Sequence, residues 1–286
     1  MKRLSIAIIG VGRLGTALAR RLSEAGYKVS KINSRGSPRP KRLSADVVWF
    51  CVPDAEIAAV ARSSSKIEWE GKFAFHSSGV LTSDVLDPLR RAGASVASVH
   101  PLMTFVNGSV PKLAGVPFAI EGDPSAVRAA RAIVRDLGGR PVGISKRDKV
   151  AYHAFATMIC PLMVSLLAAS ERAAALAGIS AADSRHRLLP IVRQTLHNYE
   201  KLGPAGAFSG PIVRGDTATI RAHLTVLTRV PVAKRVYAGL AQAALKFLPN
   251  RNRRQIAGIL ETDFSATSAR PLRAQRLKPL KPSKRL

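Results

Sequence analysis

Acidic residues are scarce in this chain of 286 residues. Only 18 Asp and Glu stand against 45 Lys and Arg, a formal net charge of +27. Such an excess draws anions, whether phosphates, nucleic acids or anionic membrane surfaces, and bears on partners rather than on fold. Cysteine is nearly missing. Cys51 and Cys160 lie far apart in apolar surroundings, with no metal-ligand spacing and no redox pair, which excludes a disulfide scaffold and fits a reducing compartment. Aromatic residues make up only 5%, so the core has to rest on Ala, Leu, Val and Ile. A secretory signal is also lacking: the apolar run after Met-Lys-Arg stops at Gly10 and Gly12, which suits a buried strand. One stretch could be mistaken for a membrane span, residues 154–169. It is shorter than the roughly 20 residues a span needs and is flanked by His153 and Glu171, so the expectation is a buried core helix in a cytoplasmic protein.

What is present is an alternation. Residues 4–9, 28–32, 45–52, 73–76, 95–99, 117–120 and 140–144 read as short, largely apolar strands. Between them, residues 13–25 place Leu14, Ala17, Leu18 and Leu22 on one helical face. Pro53-Asp54 opens a helix with Asp54 as its cap, and residues 124–137 form another that ends at Gly138-Gly139. Apolar strands separated by amphipathic helices predict an α/β, doubly wound parallel sheet covered on both faces. After residue 145 strand signals stop. Residues 149–177 predict one long helix bent at Pro161, and residues 181–202, 216–228 and 232–248 predict further helices, with a Gly/Pro-rich loop over residues 203–215. The expected division is a Rossmann domain over residues 1–145, an all-α domain over residues 146–268, and a disordered basic tail over residues 269–286.

Gly10-Val11-Gly12-Arg13-Leu14-Gly15 is a G-x-G-x-x-G that leaves the first strand and enters the first helix. Gly10 permits the tight turn, Gly12 lets a pyrophosphate approach bare backbone, and Gly15 lets helix and strand pack closely. Backbone N–H groups and the positive helix end, at Arg13 and Leu14, complete an anion site. The end of the second strand carries no acid to hold ribose hydroxyls; it reads Asn33-Ser34-Arg35. Asn33 and Ser34 can bond a 2′-phosphate and Arg35 can pair with it, which favours NADP(H) over NAD(H). Val52 and Pro53, closing the third strand, are expected beside the cofactor.

Together with this fingerprint, several motifs carry a resemblance: Phe75-His76-Ser77-Ser78-Gly79, Ser98-Val99-His100-Pro101, Lys149 with Tyr152-His153, and Gly210-Pro211-Ile212 with Arg214-Gly215-Asp216 and His223. The chain resembles the Rossmann-like oxidoreductases with a C-terminal helical domain of uncharacterised function. That group is related to pyrroline-5-carboxylate reductase and to the 6-phosphogluconate dehydrogenase-like superfamily. The resemblance implies a homodimer, a helical domain shared by substrate binding and dimerisation, and an acid/base at Lys149 or His153. His100, at the same sheet edge, is a third candidate for proton transfer. His76, Ser77 and Ser78 follow a strand and are expected to bind substrate, with Tyr152 beside them. Arg214 is placed to clamp a carboxylate, with Asp216 and His223 on the helix that follows it. No third ligand accompanies Asp216 and His223, so no metal is expected.

The expected function is NADP(H)-dependent hydride transfer to a small anionic carbonyl or imine of 2-oxo-acid type. A non-catalytic NADP(H)-binding sensor or scaffold is the alternative reading, and nucleic-acid binding through the basic tail is a further one.

Overall fold

The computed structural model describes residues 3–32 and 44–268. It divides into two compact units, Met1–Pro161 and Leu162–Leu286. The boundary lies beyond the change of pattern at residue 145, because the helix that starts at Lys149 belongs to the first unit, where its leading lysine is buried.

In chain order the first unit is β1 (Ile6–Ile9), α1 (Arg13–Glu24), β2 (Val29–Ile32), β3 (Val47–Phe50), α2 (Asp54–Ser64), β4 (Phe73–His76), α3 (Asp87–Arg90), β5 (Ser95–Pro101), β6 (Pro117–Gly122), α4 (Pro124–Asp136), β7 (Arg140–Gly143) and α5 (Lys149–Ile159). The strands make one sheet in the order β2-β1-β3-β4-β5-β6-β7. Strand residues alternate between its faces. Ile6, Ile8, Trp49 and Phe75 pack with Leu18 and Leu22 of α1 and with Ile133 and Val134 of α4. Val48, Phe50 and Ala74 pack on the other face with Ile57 and Val60 of α2 and with Leu86 and Leu89. Each large side chain buried in these layers contributes about 1.5–3 kcal/mol.

Every neighbouring pair is parallel except β5 and β6, which are antiparallel with Ser98 opposite Glu121. The doubly wound parallel sheet that was expected is present in the other five pairs. The reversal follows from the link over residues 102–116, which contains no helix. A parallel crossover needs a long connection, usually helical, to return the chain to the opposite edge; without it the next strand starts where the last one ended.

The second unit is helical among its described residues: α6 (Pro161–Ala174), α7 (Ala181–Ala207), α8 (Pro211–Arg214), α9 (Thr217–Leu227), α10 (Pro231–Phe247) and α11 (Arg253–Ser268). The long apolar helix breaks where expected, at Cys160, before Pro161, which has no N–H to continue the ladder. The segment expected as a loop over residues 203–215 is partly helical. Gly203 takes φ 69° and interrupts α7, helix resumes from Pro204, and Pro211 starts α8. α11 was not anticipated. It lies within residues 146–268, expected to be all-α, and its Ile256, Ile259 and Leu260 are buried against Ile220, Leu224, Ala241 and Leu245.

The buried core helix expected over residues 154–169 is a correction. α6 buries no residue, and Phe155, Met158, Ile159, Leu162 and Val164 are exposed. Lys146–Ala177 is long and apolar enough to cross a membrane by length and composition. Local periodicity shows that a helix forms; it does not show that its own chain covers it. The basic tail lies outside the described residues.

Candidate active site

The crevice begins where strand order reverses. β1 has β2 on one side and β3 on the other, and in open α/β sheets ligands settle outside the strand ends at that point. Gly10 has φ +98°, and a Cβ there would lie 2.7 Å from the carbonyl oxygen of Cys51 and 3.0 Å from Val52 Cγ1. A Cβ on Gly15 would fall 1.9 Å from the carbonyl oxygen of Gly10. These two glycines let α1 sit directly on the turn and the turn directly on β3. Gly12 is different: a Cβ there meets nothing within 4 Å. The space above it is open, and Gly12 begins α1 with no side-chain cap and no acidic residue in the first turn. Unsatisfied amides and a positive helix end then face that space. A dinucleotide pyrophosphate fits such a cradle. Pro53 ends the neighbouring strand loop and precedes α2. Asn33, Ser34 and Arg35 lie outside the described residues.

The turn after β4 is the second element of this edge. His76 is 0% exposed. Its Nδ1 accepts from the backbone N–H of Ser78 at 3.1 Å, and its Nε2 faces the carbonyl oxygen of Thr82 at 3.1 Å. An acceptor on one side and a carbonyl on the other fix the neutral tautomer with hydrogen on Nε2. Burial, then the charge of Lys149, holds the imidazole down to about 3. Both nitrogens are occupied, so His76 is a strut of the turn and is not free for substrate. Ser77 accepts from Trp49 Nε1 at 2.8 Å. Ser78 Oγ donates to Asp54 at 2.6 Å and accepts from the backbone of Val80 and Leu81. The two serines expected to hold substrate are therefore engaged within the fold.

Lys149 is also buried, at 1% exposure. Its Nζ donates to the carbonyl oxygen of Ser78 at 3.2 Å and to Ser98 Oγ at 2.7 Å. Burial lowers its pKa, while the carboxylates of Glu121 and Asp54 act in the opposite sense. The ammonium thus lies beneath the turn as a positioning group, where the resemblance implied an acid/base bordering the cleft. Three partners escaped the sequence reading. Asp54 does not cap α2; Pro53 occupies the cap position and Asp54 holds Ser78. Ser98 is a hydroxyl inside an apolar strand. Glu121 is buried and accepts from the backbone N–H and the hydroxyl of Ser83 at 2.6 and 2.8 Å. A polar residue in an otherwise apolar strand was the available signal for the last two.

His100, Tyr152 and His153 do come together. The His100 ring lies 5.8 Å from that of Tyr152 and 6.0 Å from that of His153, both edge to face. Gly79 makes room for this: a Cβ there would stand 2.3 Å from His153 Cδ2 and 2.9 Å from His100 Nε2. Burial, followed by Lys149 and His153, lowers His100 to about 4. Burial raises the Tyr152 phenol.

In the second unit Asp216 caps α9, accepting from the backbone and hydroxyl of Thr219 at 3.0 and 2.7 Å. His223 Nδ1 lies 3.2 Å from the Tyr237 hydroxyl, and Arg214 ends α8, exposed. Among the described residues no cluster of three metal-ligating side chains occurs.

With this geometry in hand, residues 1–101 match the model of a Rossmann-like domain, and residues 116–244 match a domain of unknown function, DUF2520. The chain thus carries a segment similar to a Rossmann-like domain followed by one similar to DUF2520. The DUF2520 match takes in β6, α4 and β7 as well as the helices up to α10. No curated protein matches the chain. Among solved structures it is similar to BF3122 of Bacteroides fragilis, provisionally assigned as an NADP oxidoreductase, with 20% identity over 84% of this chain and 97% of that one and a TM-score of 0.73. An imine reductase from Pseudomonas sp. shares 18% identity over 93% and 99% of the two chains, with a TM-score of 0.58. A reductive aminase from Aspergillus terreus, in complex with NADPH and ethyl-5-oxohexanoate, shares 15% identity over 90% and 100%, with a TM-score of 0.63. At these identities the likeness is one of fold.

Proposed function

We propose that the protein is an NADP(H)-dependent oxidoreductase that transfers hydride to a small, anionic carbonyl or imine compound. The observation that carries this is the open space over Gly12, between two glycines whose packing brings the turn, α1 and β3 into contact. Gly10, Gly12 and Gly15 hold the pyrophosphate, with the backbone amides of Arg13 and Leu14 at the helix end. Arg35, with Asn33 and Ser34, binds the 2′-phosphate, and Val52 and Pro53 border the crevice. The solved structures assigned to or bound with NADP(H) support the same cofactor. The reduced nicotinamide supplies a hydride when bound.

The chain's own residues orient the substrate and manage its proton. Lys149 fixes the Ser78 carbonyl and Ser98, which keeps the turn after β4 in place. His100, Tyr152 and His153 are the groups offered to a substrate at the same sheet edge. Within the second unit, Arg214, Asp216 and His223 are the groups offered to an anionic ligand. The general positive charge favours an anionic substrate. The exposed apolar side chains of α5, α6 and α7 are best covered by a second copy of the chain, giving a homodimer, since an apolar surface of this extent is rarely left bare.

Thermal melting with NADPH and NADH tests the proposal. Ligand at a hundredfold excess over its Kd stabilises by about 2.7 kcal/mol. NADPH should raise the melting temperature by more than NADH does; a larger NADH shift refutes the cofactor assignment, and silence toward both refutes the function.

A further inference from the structure

Three buried polar atoms of the first unit have no hydrogen-bond partner; besides Arg131 Nε they are His100 Nδ1 and the Tyr152 hydroxyl. Their rings are neighbours, edge to face with centroids 5.8 Å apart. Buried polar groups are almost always paired, and an unpaired one marks a place for an absent partner. Both can donate. Tyr152 carries its proton, because burial raises the phenol. His100 is neutral in the ordinary pH range, and its Nδ1 donates in the tautomer that places hydrogen there. The charges acting on His100 are those of Lys149 and His153. The two carboxylates of this region are already committed, Asp54 to the Ser78 hydroxyl and Glu121 to Ser83.

We propose that His100 Nδ1 and Tyr152 Oη jointly hold the oxygen of a carbonyl substrate, and that Lys149, held beneath the turn at Ser78, turns away protonated imines. The inference rests on the NADP(H) reading above and narrows its substrate class. A carbonyl oxygen has two lone pairs and accepts from two donors. A protonated imine has none to offer at nitrogen, carries positive charge, and meets two donors and a buried ammonium with no uncommitted carboxylate among the groups named here. In the reaction, the carbonyl carbon accepts hydride from the reduced nicotinamide, the π pair moves to oxygen, and Tyr152 Oη gives that oxygen its proton. The products are an alcohol, oxidised nicotinamide and a phenolate that regains a proton from water.

The test uses the full chain saturated with NADPH and two non-reducible probes: oxamate, an anionic carbonyl compound, and pyrrolidine, a cation at neutral pH that stands in for a protonated cyclic imine. The readouts are melting temperature and the imidazole 15N resonances of His100. Oxamate should raise the melting temperature and move the His100 resonances, while pyrrolidine should do neither. Tyr152→Phe should melt no lower than the parent, keep its NADPH shift and lose at least tenfold in oxamate affinity. A merely structural tyrosine predicts the opposite, a lower melting temperature with oxamate binding unchanged. Pyrrolidine binding at least as tight as oxamate, an NADPH complex indifferent to oxamate, or a Tyr152→Phe protein that keeps oxamate affinity overturns this inference alone. Absence of any NADPH shift in the parent removes the cofactor reading and this inference with it.

Discussion

Lowering the pH from 7 to about 5 should destabilise the first unit by about 4 kcal/mol. The perturbation acts on two imidazoles. His76 is held to about 3 and His100 to about 4, each from an ordinary value of 6.5. Both are depressed, so the unfolded chain binds more protons than the folded one throughout that interval. Their contribution is intact above pH 6.5 and drains away as pH falls toward the folded values. At pH 5 each unfolded imidazole is protonated with a gain of about 2 kcal/mol that the folded protein cannot match. The assay is urea unfolding followed by tryptophan fluorescence. The chain has only two tryptophans, Trp49 and Trp69, and both are fully buried in the first unit, so the signal reports the unit that contains both histidines. His76→Gln keeps a donor for the Thr82 carbonyl and removes the ionisation; it should halve the pH dependence. A parent that loses less than about 1 kcal/mol between pH 7 and pH 5, or a variant with undiminished pH dependence, would refute the burial argument.

Three further outcomes follow from the same geometry. Gly12→Val should fold with unchanged stability, because its Cβ meets nothing, yet lose at least tenfold in NADPH affinity by calorimetry; Gly15→Ala, whose Cβ overlaps the Gly10 carbonyl, should lose stability by about 1–3 kcal/mol or more as well. Gly79→Ala should retain the NADPH shift while displacing His153 and His100, detected as altered imidazole resonances and lost turnover on 2-oxo acids; unaltered resonances would mean that the glycine is not needed for their approach. Light scattering should give a dimer mass for the parent and a monomer mass for the double variant Met158→Glu, Ile159→Glu, two side chains exposed on α5; a monomeric parent at micromolar concentration contradicts the interface.

Much of the sheet was legible because each strand is a short apolar run and each intervening helix shows a one-sided pattern, as α1 does with Leu18 and Leu22 and α4 with Ala130, Ile133 and Val134. The glycine fingerprint was legible for a related reason: each glycine answers to a local clash or a local opening. What stayed hidden depends on partners distant in the chain. Nothing near Lys149 announces that it will lie under Ser78, 71 residues away, or that Ser98 will meet it. His76 reads as a functional histidine until both of its nitrogens are seen to be occupied. Asp54 sits where a helix cap belongs, and only the neighbouring strand's turn shows that its carboxylate serves Ser78. In α5 and α6, a helical pattern reports apolar faces without reporting what covers them.

The reversal of β6 has a consequence for how this region tolerates change in length. Because β6 runs opposite to β5, Glu121 stands across from Ser98, and its carboxylate acts on the ammonium that Ser98 receives. Side chains alternate between sheet faces, so one extra residue between Phe118 and Ile120 would send Glu121 to the opposite face and strip Lys149 of that compensating charge. Added residues in the 102–116 link would leave the alternation untouched. Natural insertions and deletions should therefore gather in that link and avoid the strand, and a protein engineered to carry a one-residue insertion in β6 should fold poorly even though its composition is almost unaltered.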